Sequence, residues 1–317
     1  MFEILSVTGP IFLAIAAGYV STRAGLFSQD DMRVMGRFVI NLALPCLLFN
    51  AVAQQRIGDI LNGSYLLAYA GGSMATLALG YTWARRVTKQ EPRAATYMAM
   101  GMCCSNSGYV GFPILLLALP SVAGSALALN MVVENFIMIP VLLALAERGH
   151  GPAGHWHEVV LQSVRRLAVN PLVIGLVIGL VFSVFEWRLP APAARTVTLF
   201  AQASSVLSLF VIGGTLAAAT LAGQGTRIAP IVIGKLLLHP LMVAAALAAV
   251  ALLGLPALPR DLHTAAILLA GMPMMGIYPL LAMRHGHERL AAAALFGATV
   301  AAFFTLNAML WALGHGA

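Results

Sequence analysis

The sequence predicts an all-α integral membrane protein, and three observations carry that expectation. Hydrophobic residues fill 60% of the 317 positions and charged residues only 9%, against roughly one quarter charged in a soluble domain. Mean hydropathy is +0.90. The apolar residues also fall in runs of about 20, the length at which a helix rising about 1.5 Å per residue crosses a hydrocarbon core of about 30 Å. Ten such runs can be placed, at about residues 4–22, 34–54, 63–83, 94–119, 122–146, 168–187, 196–221, 229–253, 264–283 and 290–313.

Taken in order, span 1 follows Met1-Phe2-Glu3, which lacks the basic segment of a cleavable signal peptide, so it is kept as a spanning helix. Span 2 carries Asn41 and Pro45 at its middle, where a polar residue four before a proline can serve the kink or shape a pocket wall. Span 4 contains Ser105, Asn106, Ser107, Gly108, Gly111 and Pro113 at mid-segment. Span 5 holds Glu134, the one acid deep within a span. Span 6 has Gly175 and Gly179 at GxxxG spacing, a pattern that lets two helices approach closely. Span 8 holds Lys235 and His239-Pro240, and span 9 reads Pro273 to Pro279 with Gly276 and Tyr278 between or beside them. The three cysteines, Cys46, Cys103 and Cys104, lie in apolar segments, which argues for packing rather than disulfides or metal.

The connecting loops are short, the longest running from about 147 to 167, so no soluble domain of ordinary size hangs from the chain. With the N-terminus outside, the inner loops hold thirteen basic residues, among them Arg85, Arg86, Lys89, Arg93, Arg227, Arg284 and Arg289. The outer loops hold four, Arg56, Arg188, Arg195 and Arg260. The positive-inside rule therefore puts both termini outside the cytoplasm and explains the net charge of +7 without nucleic acid. Loop histidines His150, His155 and His157 are irregularly spaced among Gly and Pro and fit a solvated cytoplasmic loop better than a metal site. Five spans on each side of this loop make two repeats of opposite orientation: 1–147 as the first, 148–167 as the loop and 168–317 as the second.

The fourth span of each half is the interrupted one. Proline removes a backbone donor and clashes with the preceding turn, so spans 4 and 9 should each be two short helices joined by unwound chain. Unpaired backbone in hydrocarbon costs several kcal/mol per group, so it persists only where it lines a cavity or is buried by protein. Pro113 and Pro279 would start the second half-helix of each span, aiming free N–H groups and positive dipole ends at the midplane. A carboxylate is what such an arrangement favours.

These residues resemble the auxin efflux carrier family, including its bacterial malonate transporters. The matching stretches are Phe38 to Phe49 with Pro45, Ser105 to Pro113, Gly234 to Pro240 and the proline-bearing span 9. The resemblance covers essentially the whole chain. It implies a scaffold domain and a moving transport domain, crossed broken helices 4 and 9, and a substrate carboxylate held near the crossover, with the family's crossover asparagine at Asn106 and its motif prolines at Pro113 and Pro279. Between Pro273 and Pro279 the spacing is one residue longer than in plant members, and the long central loop of many plant carriers is absent.

The expected function is secondary active transport of a small organic anion, malonate or a related carboxylate, by alternating access in a bacterial inner membrane. The candidate substrate residues are Asn41, Pro45, Ser105, Asn106, Ser107, Gly108, Gly111, Pro113, Gly276, Tyr278 and Pro279. Glu134, Lys235 and His239 are the candidates for coupling or charge relay, because an intramembrane ionisable group is functional by default. No cofactor is expected beyond a coupling ion, H+ or Na+. The expected partners are the carboxylate, the bilayer and a second copy in a homodimer. An embedded enzyme is disfavoured: there is no His-Glu-x-x-His, no Gly-x-Ser-x-Gly and no second intramembrane acid. Nothing resembles a channel's filter loop. A cation-coupled carrier of another substrate on the same architecture is the rival reading.

Overall fold

The computed structural model describes residues 2–53, 62–147, 165, 168–218, 225–276, 278–283 and 287–313. Most of the central loop 148–167, with His150, His155 and His157, lies outside the described residues, as do Arg56 and Arg284. Among the described residues the chain is helical, and its one β-type pairing is an isolated antiparallel bridge between Ser105 and Met274.

Several helices begin where the sequence supplies a cap or a proline. α1 is Phe2–Arg23. α2, Gln29–Ala53, opens on a reciprocal cap in which the Asp31 N–H donates to Ser28 Oγ at 3.2 Å and the Ser28 N–H to Asp31 Oδ2 at 2.8 Å. α3, Gly63–Arg86, is capped by Asn62, which accepts from the Tyr65 N–H at 3.0 Å. α4, Pro92–Cys103, starts on proline. α5 is Ser107–Ala118 and α6 is Ala123–Ala146. α7, Pro171–Val184, starts behind the Asn170 cap. α8 is Ala191–Leu216, α9 Gly225–Leu252, α10 Arg260–Ala270, α11 Tyr278–Met283 and α12 Glu288–Ala312. Five of them, α2, α6, α8, α9 and α12, are long and apolar enough to cross a membrane, and α5 and α7 are shorter apolar helices.

Large apolar side chains face outward along these helices, including Leu13, Leu199, Val206, Leu241 and Phe304, each more than 60% exposed. In water such a surface would be an aggregation liability; in hydrocarbon it costs nothing. The multi-pass membrane protein expected from composition is thus what the folded surface requires.

Without a hydrophobic drive between helices in lipid, close packing of small residues holds them together. α1 packs on α8 and α7 on α2, while α3 packs on α9 and α4. A Cβ on Gly18 would lie 2.0 Å from the Phe210 carbonyl oxygen, and one on Gly213 would lie 1.8 Å from that of Ile15. The two glycines therefore serve α1 and α8 reciprocally. Gly175 does the same for α7 against the Pro45 carbonyl, 2.5 Å from a Cβ there, and Gly179 approaches Phe49. The densest pairings thus sort α1, α2, α7 and α8 into one group and α3, α4, α9, α10, α11 and α12 into another.

Candidate functional site

Four helical stretches widen by one residue per turn into π geometry: 39–43, 107–111, 133–138 and 234–238. Each ends two residues before a proline, respectively Pro45, Pro113, Pro140 and Pro240. The cause is local. A proline cannot donate to the carbonyl four residues back and its ring collides with it, so the preceding residue bonds five back instead, as in Leu44 to Val39 and His239 to Gly234. The skipped carbonyl is then free for another partner. At Pro113 that carbonyl is Tyr109's, and Ser208 Oγ of α8 donates to it at 3.1 Å. π-turns recur at functional sites; here Glu134 and Lys235 each sit inside one, and Asn106 caps a third.

The two interruptions meet. Between α4 and α5 the chain is extended over three residues, and the Asn106 N–H donates to the Pro273 carbonyl at 2.8 Å while Ser105 pairs with Met274. Asn106 then starts α5: its side-chain oxygen accepts from the Tyr109 N–H at 3.3 Å, and its carbonyl from the N–H groups of Val110 and Gly111 at 3.1 and 2.9 Å. Among the described residues, the N–H groups of Ser107 and Gly108 and the Nδ2 of Asn106 have no acceptor. Nδ2 faces Gly276, where a Cβ would lie 3.9 Å away. The half-helix therefore starts at Ser107, six residues before Pro113, and asparagine rather than proline defines its start. Pro279 is the second residue of α11.

Charge is brought to this junction from two other helices. Glu134 Oε1 accepts from Ser107 Oγ at 2.8 Å, Asn130 Nδ2 at 3.2 Å and the Ser105 N–H at 3.3 Å. On the other side Lys235 Nζ donates to Ser105 Oγ at 2.9 Å and to the Ala270 carbonyl at the end of α10, and lies 2.9 Å from His239 Nδ1. His239 Nε2 is 2.9 Å from Ser73 Oγ. A Lys235 ammonium giving all three protons here would require Nδ1 of His239 to accept and would put the imidazole proton on Nε2, facing Ser73. Tyr69 donates to Ser105 Oγ at 3.2 Å and Tyr65 to Asn130 at 3.4 Å. Glu134 is 3% exposed and Lys235 0%, so the lysine does not snorkel to a surface. Among the described residues the two form no direct ion pair. Ser105 joins them, giving its N–H to the acid and its hydroxyl oxygen to the lysine. The acid thus lies at the start of α5, where a helix favours negative charge, and the lysine at the end of α10, where it favours positive.

The structure brings Ser105, Asn106, Ser107, Glu134, Lys235 and His239 into one buried cluster, with the exposed Gly276 beside the Asn106 amide. Gly108 packs on Leu44, 3.7 Å from a Cβ there, and Gly111 on Leu269 of α10. Tyr278 is buried with its hydroxyl against Gly101. Asn41 and Pro45 lie elsewhere: Asn41 is exposed and gives its Nδ2 to the Arg37 carbonyl at 2.7 Å, and Pro45 faces Gly175 of α7. Tyr65, Tyr69, Ser73 and Asn130 also belong to the cluster, and none of them is among the residues expected from sequence. Their signal was the i, i+4 spacing that puts residues on one helix face: Tyr65-Tyr69-Ser73 on α3, Asn130-Glu134 on α6 and Lys235-His239 on α9.

The membrane transport protein family matches residues 5–310. A Rhizobium meliloti (strain 1021) protein named "Putative malonate transporter" is 28% identical over 319 residues, covering 100% of this chain and 98% of its own. "Uncharacterized transporter YfdV" of Escherichia coli (strain K12) is 26% identical over 66% of this chain and 67% of its own. An "Uncharacterized transporter" of Methanothermobacter thermautotrophicus is 23% identical over 96% of this chain and 95% of its own. These are names of transporters, not of enzymes. With broken helices meeting at a buried charged cluster inside an apolar shell, and a match over almost its whole length, the chain belongs to the membrane transport protein family.

Proposed function

We propose that the protein is a secondary active transporter of small organic anions, malonate or a related carboxylate, and that the anion binds at the junction of Asn106 with Pro273 to Gly276. The single observation that carries this is the start of α5: two backbone N–H groups and an asparagine amide without acceptors among the described residues, at a buried helix start. Such donors receive a carboxylate without a fixed positive charge. The architecture in this reading is ten spans in two inverted repeats, with both termini outside the cytoplasm of a bacterial inner membrane. The two groups of helices move against each other to expose the junction to each side in turn, by rocking or an elevator stroke.

Glu134 supplies the coupling in this reading. An ionised carboxylate already holding Ser107 and Ser105 repels a second one arriving at the same helix start, so the anion binds better to protein whose Glu134 carries a proton. Lys235, bridged through Ser105, and the hydroxyls of Tyr65 and Tyr69 are the other titratable groups facing the cluster, with Cys104 and His239 behind them. Substrate and proton therefore travel together.

Purified protein in liposomes, assayed for labelled malonate under imposed pH or sodium gradients, tests the reading. Flux should saturate, follow an inward proton gradient and fall at least about tenfold in Asn106→Ala, the loss of about 1.4 kcal/mol or more of binding. Normal flux in that variant would remove the junction as the binding site; flux driven by sodium alone would transfer the coupling to a cation.

A further inference from the structure

A cavity of about 660 Å³ opens between the end of α3 and the starts of α4, α9 and α12. Its wall carries Arg227, Arg289, His287 and Thr226, with Trp83 at one side and Tyr278 among its lining residues. Among the described residues, no aspartate or glutamate lines it. Arg227 and Arg289 are both exposed, and neither is in an ion pair among the described residues. Glu288, between His287 and Arg289, does not line the cavity and has its Oε2 buried without a partner among the described residues.

A cavity of this size falls in the range that encloses small ligands. Guanidinium groups grip carboxylates through paired N–H donors, and the cavity has two of them in its lining, one from α9 and one from α12. The starts of three helices add positive potential of the same sign. Tyr278 stands four residues from Met274, the partner of Ser105, and is almost wholly buried. Tyr278 thus belongs both to the cavity's lining and to the chain segment that leaves the junction, with its hydroxyl against Gly101 of α4.

We propose that this cavity is an anion vestibule in which Arg227 and Arg289 collect a dicarboxylate before it passes Tyr278 to the junction. The vestibule deepens the carrier reading and rests on it for the direction of travel, but its binding of dicarboxylates stands separately. It makes the protein prefer dianions with two carboxylates over monocarboxylates of similar size, and it places the collecting site on the face that carries the basic loops.

Trp83 lines the cavity and reports on it directly. In the full chain with Trp156, Trp187 and Trp311 changed to Phe, malonate titration should give a saturable change in Trp83 fluorescence, at lower concentration than acetate does. Arg227→Gln with Arg289→Gln should raise the half-saturating malonate concentration at least tenfold, while Arg195→Gln, an exposed arginine on α8, should leave it unchanged. A Trp83 signal indifferent to malonate, or unaltered by the double substitution, overturns the vestibule whatever the flux assay shows. A normal titration in protein that moves no carboxylate would keep the vestibule and overturn the carrier reading instead.

Discussion

At the scale of single residues, Ser105 is the part on which the buried charges depend. Its N–H serves Glu134 and its hydroxyl oxygen accepts from both Lys235 and Tyr69. Removing one partner of a buried polar group leaves the other desolvated, at about 1–3 kcal/mol for a neutral group and more for a charged one. Ser105→Ala should therefore lower the thermal unfolding midpoint in detergent, and Lys235→Met should lower it further, by the equivalent of about 3–5 kcal/mol. A midpoint within 1 °C of the parent for Lys235→Met would mean that the lysine offsets no buried charge. Proton linkage belongs to the same scale. On the proposed function, protonating Glu134 removes the charge that opposes the anion, so malonate affinity should rise as pH falls, and Glu134→Gln should flatten that dependence. An equally steep dependence in Glu134→Gln would place the coupling proton elsewhere. Asn106, Glu134 and Lys235 were legible from sequence because a polar residue in an apolar run must have a reason. Ser105's bridging was not, since it arises from the meeting of three helices distant in the chain.

At the scale of elements, the helices follow from hydropathy and the breaks from Ser-Asn-Ser-Gly and the paired prolines. The π-turns were not legible, because a proline within a helix does not by itself signal one: Pro10 and Pro230 lie inside α1 and α9 with no π-turn before them. The glycines are legible in kind but not in degree. Gly213 and Gly63 look alike in sequence, yet a Cβ on Gly213 would strike the Ile15 carbonyl while one on Gly63 meets nothing within 4 Å. Gly213→Val should force α1 and α8 apart, an overpacking cost of about 1–3 kcal/mol or more because backbone cannot yield as a side chain does. Gly63→Ala, at the first turn of α3, should be near neutral or slightly stabilising. Equal midpoints for the two variants would show that the α1 to α8 contact does not hold the group together.

At the scale of the whole molecule, the division into two groups of helices makes a claim about movement. Glycine-mediated backbone contact locks α1 to α8 and α2 to α7, whereas α1 meets α12 through side chains, with Thr8 Oγ1 donating to Asn307 Oδ1 at 3.0 Å. Asn50 and Thr198 form a comparable pair, at 3.3 Å, between α2 and α8 of a single group. If the groups move as rigid bodies, a bond across them must break the cycle while one inside a group must not. In protein with Cys46, Cys103 and Cys104 replaced, Thr8→Cys with Asn307→Cys should lose carboxylate flux on oxidation and regain it on reduction. Asn50→Cys with Thr198→Cys should cross-link as readily and keep its flux. Full transport by the oxidised Thr8 and Asn307 pair would show that the moving boundary runs elsewhere, and arrest by the Asn50 and Thr198 pair would show that the first group is not rigid.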